Sequence, residues 1–380
     1  MKTLVHVILL NIIIFSVATA KNIEVKLFND PHAQALEIEK NLDFFIKEAQ
    51  SGDKNAEYNV AGYYYFVPNN NRDIPKAVTM LHKLAGEGHA VSQYLLGMMY
   101  FSGENVQKDL QKGIKWLQKA AEQGIPEAQL YIGLLKFKGT GGIQQDVNQA
   151  ITWLEKSANQ GNIDAQINLA TVYENANKFE EAVKWYLKAA EKGHVKAQII
   201  LGKAYYEGTG VSKNTKEAIK WFEKAAEQEN LDAQMNLAIV YGNEKNYEEA
   251  AKWYLKAAEK GEVEAQVKLG KFYYEGIGVL KNINESIKWF EKAAEKNNSY
   301  AQYNLGIIHL ENDNKLKSLE YMRQAAEKGH SEAEFIMGKF YFEGKVVSKD
   351  YNEAKRWFEK GVPKGFSPAQ EALQIVNRVL

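Results

Sequence analysis

The sequence predicts an all-α protein built as a linear stack of helix-pair repeats. Three observations carry this. A glutamine or glutamate recurs at Glu57, Gln93, Gln129, Gln166, Gln198, Gln234, Gln266, Gln302, Glu334 and Gln370, in steps of 36, 36, 37, 32, 36, 32, 36, 32 and 36 residues. The seven tryptophans (Trp116, Trp153, Trp185, Trp221, Trp253, Trp289 and Trp357) all occupy one position of that repeat, held elsewhere by Phe44, Met80 and Tyr321. Apolar residues fall at helical spacing in each unit, and no alternating strand pattern follows the N-terminal segment.

The elements follow in chain order. Lys2, the apolar run Leu4 to Val17 and the small residues Ala18-Thr19-Ala20 read as a secretory signal peptide over 1–20, cleaved after Ala20. That run contains Asn11 and is shorter than the ~20 residues a spanning helix needs, so no stable membrane insertion is expected after cleavage. Residues 21–30 read as irregular. The rest of 21–55 holds a partial repeat, "LDFFIKEAQSGDKNA", which resembles a second helix and its exit. Nine complete helix pairs are expected over 56–368, and "PAQEALQIVNRVL" supplies a lone first helix over 369–380, suited to capping the stack.

Within a unit, Ala165, Leu169 and Tyr173 make one stripe of the first helix. Ala182, Trp185, Tyr186, Ala189 and Ala190 make a broad apolar face on the second. Glu180 with Lys184, and Glu248 with Lys252, support the second helix from outside. Gly193 and Gly261 stand where a left-handed residue ends a helix. A tryptophan in the second helix buries ~150–250 Å², and paired alanines such as Ala225-Ala226 let neighbours approach, as do Gly202, Gly270, Gly306 and Gly338 in the first helices. From Gln166 the unit becomes a doublet of 68 residues whose first two copies agree at about two positions in three, which points to duplication.

Composition excludes several functions. Lys plus Arg and Asp plus Glu both number 48, which argues against nucleic-acid or anionic-membrane binding. The absence of cysteine removes disulfides, thiolate metal sites and cysteine nucleophiles. "YYEGTGVSKN" has the glycines of a phosphate loop, but the motif recurs as "EGIGV" and "KGTGGI", each time after a helix. It therefore reads as a helix C-cap and interhelix turn. His89, His194 and His330 lie in separate units, each just past a helix-ending glycine, and read as turn residues. No catalytic residues, metal site or cofactor are expected.

The pattern quoted most fully by "AQIILGKAYYEGTGVSKNTKEAIKWFEKAAE", residues 197–227, resembles the Sel-one-like repeat (SLR) of the tetratricopeptide superfamily. The resemblance recurs nine times over roughly four-fifths of the chain. It implies an α/α right-handed superhelical solenoid whose concave face holds a protein or peptide. Exported bacterial members similarly join a signal peptide to such an array. The 32-residue units lack the Gly-x-Gly-Val loop and are closer to plain tetratricopeptide units. Cysteine-rich exported members pin their helix pairs with disulfides, which this chain cannot do, so any lactam chemistry of those relatives is not carried over.

By analogy with tetratricopeptide geometry, the first helices line the inner face. This places Tyr94, Ile199, Met235, Val267, Tyr303 and Phe335 inward, directly after the glutamine mark. Lys203, Lys271 and Lys339 follow the helix glycine, with Tyr206, Tyr274 and Phe342 three further on. An aromatic groove with a lysine row suits an extended or acidic peptide. Packing between repeats for the aromatics and plain solvation for the lysines stand as the competing reading. The expectation is a monomeric, non-enzymatic, periplasmic or secreted bacterial scaffold that binds a protein or peptide as envelope adaptor, immunity protein or host-interaction factor. The alternative is an envelope enzyme or ligand-binding protein acting on cell-wall material.

Overall fold

The computed structural model describes residues 31–362 and 366–380, so the expected signal peptide and the irregular stretch after it lie outside the described residues. Two helices, α1 (Pro31–Lys40) and α2 (Leu42–Gln50), precede four pairs. These are α3 (Lys54–Phe66) with α4 (Ile74–Gly86), α5 (Ala90–Ser102) with α6 (Leu110–Glu122), α7 (Pro126–Lys138) with α8 (Val147–Asn159), and α9 (Ile163–Asn175) with α10 (Phe179–Glu191). Five more pairs follow. They are α11 (Val195–Glu207) with α12 (Thr215–Glu227), α13 (Leu231–Asn243) with α14 (Tyr247–Glu259), and α15 (Val263–Glu275) with α16 (Ile283–Glu295). The last two are α17 (Ser299–Glu311) with α18 (Lys315–Glu327) and α19 (Ser331–Glu343) with α20 (Tyr351–Gly361), before a single α21 (Ser367–Val379).

The chain divides into two compact units. The first runs to Ala197 and takes in Thr209–Val211; the second comprises Gln198–Gly208 and Ser212–Leu380. Each is a stack in which helices pack on those before and after them in sequence. The described residues are helical throughout, without strands. The helix α1 is an addition to the sequence reading. It packs across α3 and buries Ala35 and Ile38.

Local chemistry sets the boundaries. Asp73, Asp109, Asp146, Asn214, Asn246, Asn282, Asn314 and Asp350 each stand immediately before a second helix and accept from its first-turn N–H groups. After the second helices, Gly193 and Gly261 take φ of +86° and +90°, as expected of C′ glycines. In "EGTGV" both glycines are left-handed, and a side chain at Gly210 would run into the backbone carbonyl of Phe179. Gly278 stands in the same relation to Tyr247. The second glycine thus lets the turn lie against the start of the preceding unit's second helix, and protein backbone fills the space a phosphate would need.

Packing corrects the role given to the tryptophans. Trp221, Trp289 and Trp357 are buried, but Trp116, Trp153, Trp185 and Trp253 are only half-buried. In the second helices from α6 to α20 the next residue is a large side chain buried in the core: Leu117, Leu154, Tyr186, Phe222, Tyr254, Phe290, Met322 or Phe358. Six of these occupy the space left by a first-helix glycine, since a Cβ on Gly202 would meet the Phe222 ring at 2.5 Å; the units of Tyr186 and Tyr254 have Ala170 and Ala238 there instead. The glycines therefore chiefly admit a ring rather than a neighbouring backbone. Each tryptophan has the Nζ of the lysine three residues on over its ring, at 3.8 to 4.6 Å from the ring centre.

The glutamine mark also acquires a physical role. Gln93, Gln129, Gln166 and Gln266 each donate to a last-turn carbonyl of the preceding second helix, at 3.0–3.1 Å (Ala85, Ala121, Ala158 and Ala258). Those carbonyls have no partner within their own helix; each accepts the N–H of the following Gly88, Gly124, Gly161 or Gly261, and the buried amide adds a second bond. At the end of the same helix pair, Gln123, Gln160 and Gln228 reach back to the side-chain oxygens of Gln93, Gln129 and Gln198 at 2.7, 2.8 and 3.0 Å.

Candidate partner-binding face

The sequence-derived groove residues of the second unit lie on its first helices and differ in exposure. Lys203, Lys271 and Lys339 are exposed on α11, α15 and α19. The equivalent positions of α13 and α17 hold Ile239, which is 40% exposed, and half-buried Ile307. One row therefore reads Lys203, Ile239, Lys271, Ile307, Lys339, with charge at every second repeat. Lys271 and Lys339 engage Glu275 and Glu343 of their own helices at only 3.7 and 3.8 Å. Exposed pairs of this kind contribute ~0–1 kcal/mol and give way readily to a better anionic partner.

Ile199, Met235, Val267, Tyr303 and Phe335, one residue past the mark, are half-buried and present an edge to solvent. Tyr303 stacks on His330 with ring centres 4.6 Å apart, and burial raises its phenol pKa. The third column is more committed to the array itself. The Tyr206 hydroxyl accepts from Asn243 at 2.7 Å, and that of Tyr274 donates to Glu311 at 2.7 Å; each links successive first helices. The Glu311 bond, then burial, push the Tyr274 pKa up to about 12. Phe342 packs against Tyr351, ring centres 5.4 Å apart. Tyr206 and Tyr274 thus tie one repeat to the next, and Phe342 packs within its own pair.

Tyr94 corrects the expectation outright. In the first unit it is fully buried, and its hydroxyl has no hydrogen-bond partner. It belongs to the core and presents nothing to a ligand. Depth at this position depends on what α7 and α6 place above it, which the spacing along one helix does not encode.

Lys339 stands between two cavities. One of about 440 Å³ is lined by Leu310, Lys315, Ile336, Lys339, Phe340, Glu343, Lys345 and Val346. The other, about 210 Å³ and mainly apolar, is lined by Phe335, Lys339, Phe342, Glu343, Phe358, Ala372 and Ile375. The combination of apolar walls and a lysine suits a side chain that ends in a carboxylate. The turn histidines have local uses: the rings of His89 and His194 accept the N–H of Ser92 and Ala197, capping α5 and α11. Among the described residues no group of three or more acidic or histidine side chains is placed to hold a metal ion.

Comparison with known proteins follows the same repeat boundaries. The family model described as Sel1 repeat matches residues 54–89, 90–125, 126–162, 163–194, 195–230, 231–262, 263–298, 299–330 and 331–362. Among solved structures, c5321, a protective antigen present in uropathogenic Escherichia coli strains and displaying an SLR fold, is 32% identical. It covers 91% of this chain and 75% of its own, with a TM-score of 0.69. A Sel1 repeat protein from Oxalobacter formigenes is 25% identical, covers 95% of this chain and 98% of its own, and has a TM-score of 0.38. The immunity protein Pa5087 from Pseudomonas aeruginosa is 22% identical over 55% of this chain and 84% of its own, with a TM-score of 0.31. No curated protein matches.

Proposed function

The chain belongs to the Sel1 repeat family, and from that membership we propose that it is an exported, non-enzymatic scaffold binding a protein or peptide along the first-helix face of its second unit. The row Lys203, Ile239, Lys271, Ile307, Lys339 carries the proposal. It offers alternating cationic and apolar contacts at repeat spacing, which fits an extended partner segment with acidic groups set two repeats apart. Export is supported by the N-terminal leader pattern. Of the adaptor, immunity and host-interaction roles, the last is favoured because the Escherichia coli relative is a protective antigen.

Replacing Lys203, Lys271 and Lys339 together by alanine is expected to abolish capture of a defined protein from periplasmic or host extracts. The thermal midpoint should change little, since all three are exposed. Equal recovery by the variant would return these lysines to plain solvation. N-terminal sequencing of the protein from fractionated cells is expected to begin at Lys21. Turnover of peptidoglycan or a β-lactam by the purified chain would favour the enzyme reading instead.

A further inference from the structure

A second site, independent of the lysine row, lies in the first unit. Three residues past the first-helix glycine or alanine, the repeats hold Tyr64, Tyr100, Tyr173, Tyr205, Tyr241, Tyr273, His309 and Tyr341; only the unit of Gln129 departs, with Lys136. In several other repeats that ring bonds to a residue two past the tryptophan position of the preceding second helix. Tyr173 donates to Glu155 at 2.8 Å and Tyr241 to Glu223 at 3.2 Å; Tyr341 accepts from Arg323 at 3.3 Å. At Lys136 the corresponding residue, Gln118, has turned to its own helix and bonds Glu122 at 2.9 Å. An open cleft of about 750 Å³ stands there, walled by Tyr100, Trp116, Ile114 and Ile143.

Charge around the cleft departs from the pattern in the adjoining repeat, on α6. At the third residue of α12, α14, α16 and α20, Glu217, Glu249, Glu285 and Glu353 pair with the Lys or Arg three residues on, at 2.7–3.3 Å. In α6 that third residue is Lys112, so Lys115 faces a like charge instead of a carboxylate. Lys112 itself leans on Asp109 at 3.6 Å. Lys112, Lys115, Lys119 and Lys136 against the single Glu122 leave the lining at +3, counting four lysines less one glutamate.

We propose that this cleft binds an acidic peptide segment of a partner protein, which inserts a tyrosine ring into the space vacated at Lys136 and sets flanking carboxylates on Lys112, Lys115 and Lys136. The ring would meet Trp116 and Tyr100, and its hydroxyl would find the Gln118 amide, at the position from which Glu155, Glu223 and Arg323 bond such hydroxyls in other repeats. Apolar walls with a few placed cations give such a segment both contact area and orientation. A simple polyanion would satisfy the lysines but leave the aromatic space empty.

The test uses the full chain and a fluorescein-labelled Glu-Asp-Tyr-Glu-Asp peptide, followed by anisotropy. Saturable binding is expected, weakened about tenfold or more when the peptide tyrosine becomes alanine. Lys136→Tyr, which restores the side chain standard at this position, should abolish binding while holding or raising the thermal midpoint. Lys115→Glu, a surface change, should weaken binding as well, and the triple alanine variant of Lys203, Lys271 and Lys339 should bind normally. Absence of saturable binding up to about 1 mM, or indifference to both Lys136→Tyr and Lys115→Glu, would overturn the proposal. So would equal affinity for the alanine peptide or for a short oligothymidylate, either of which would reduce the site to charge alone.

Discussion

Phe222 and Trp221 are neighbours on α12, yet their environments differ in kind. Phe222 fills the slot left by Gly202 and is 1% exposed, whereas Trp221, also buried, lies under the Lys224 ammonium, and four other members of its column are only half-buried. Phe222→Ala should therefore cost ~3–5 kcal/mol in urea unfolding. Trp185→Ala, at a half-buried member of the column, should cost less, ~2 kcal/mol; equal losses would mean the two positions share one core role. A second residue-scale prediction concerns Glu229, which holds a φ of +60° where Gly193 and Gly261 end the equivalent helices. Glu229→Gly should raise stability by about 1 kcal/mol, because the left-handed conformation costs an L-residue roughly that much. A decrease would show that the exposed ion pair to Lys260, 3.6 Å, outweighs the backbone term. The tryptophan column was legible in the sequence by size and spacing alone. That the next residue lies deeper was not, because both fall within one broad apolar face. Only the pairing of Phe222 with Gly202, against Tyr186 with Ala170, separates them.

Between elements, the glutamine mark is more than a register signal. In units followed by Gln123, Gln160 or Gln228 the buried amide oxygen is satisfied; in units followed by Lys192, Lys260 or Lys296 it is not. The lysines instead reach back to the turn carbonyls of Gly161, Glu229 and Gly261. Gln123 and Gln160 make both bonds at once, adding the turn carbonyls of Gly88 and Gly124 at 3.0 and 2.9 Å. Lys260→Gln should thus keep the backbone bond and supply the partner that the Gln234 oxygen lacks. An increase of about 1 kcal/mol in unfolding free energy is expected, and a loss would show that the lysine's cation matters more than the orphan acceptor. Element existence, order and turns were readable from the repeat because helical period and glycine punctuation are local. The helix α1 was not, since its ten residues have no second-helix partner and are held by packing on α3. The lysine row was equally readable as a pattern, but Tyr94 shows that first-helix position alone does not decide exposure.

At the scale of the molecule, contacts run between helices adjacent in the chain, so stability should be approximately a sum of pair and neighbour terms within each stack. The end of the second unit is where this can be tested. There α21 lies over α20, burying Ala369 and Val376 and joining Phe358 through Leu373 and Ala372. Its exposed positions carry Gln370, Gln374 and Asn377 together with Ile375 and Val379, so the cover it lays over α20 is mixed polar and apolar. Removing residues 367–380 uncovers Phe358 and Phe335 while leaving every bond of the first unit in place. Hydrogen exchange should then accelerate in α19 and α20, fade toward α15, and stay unchanged from α3 to α10. Loss of protection spread evenly through both units would instead require cooperative coupling along the whole chain, which sequence-adjacent packing alone does not supply.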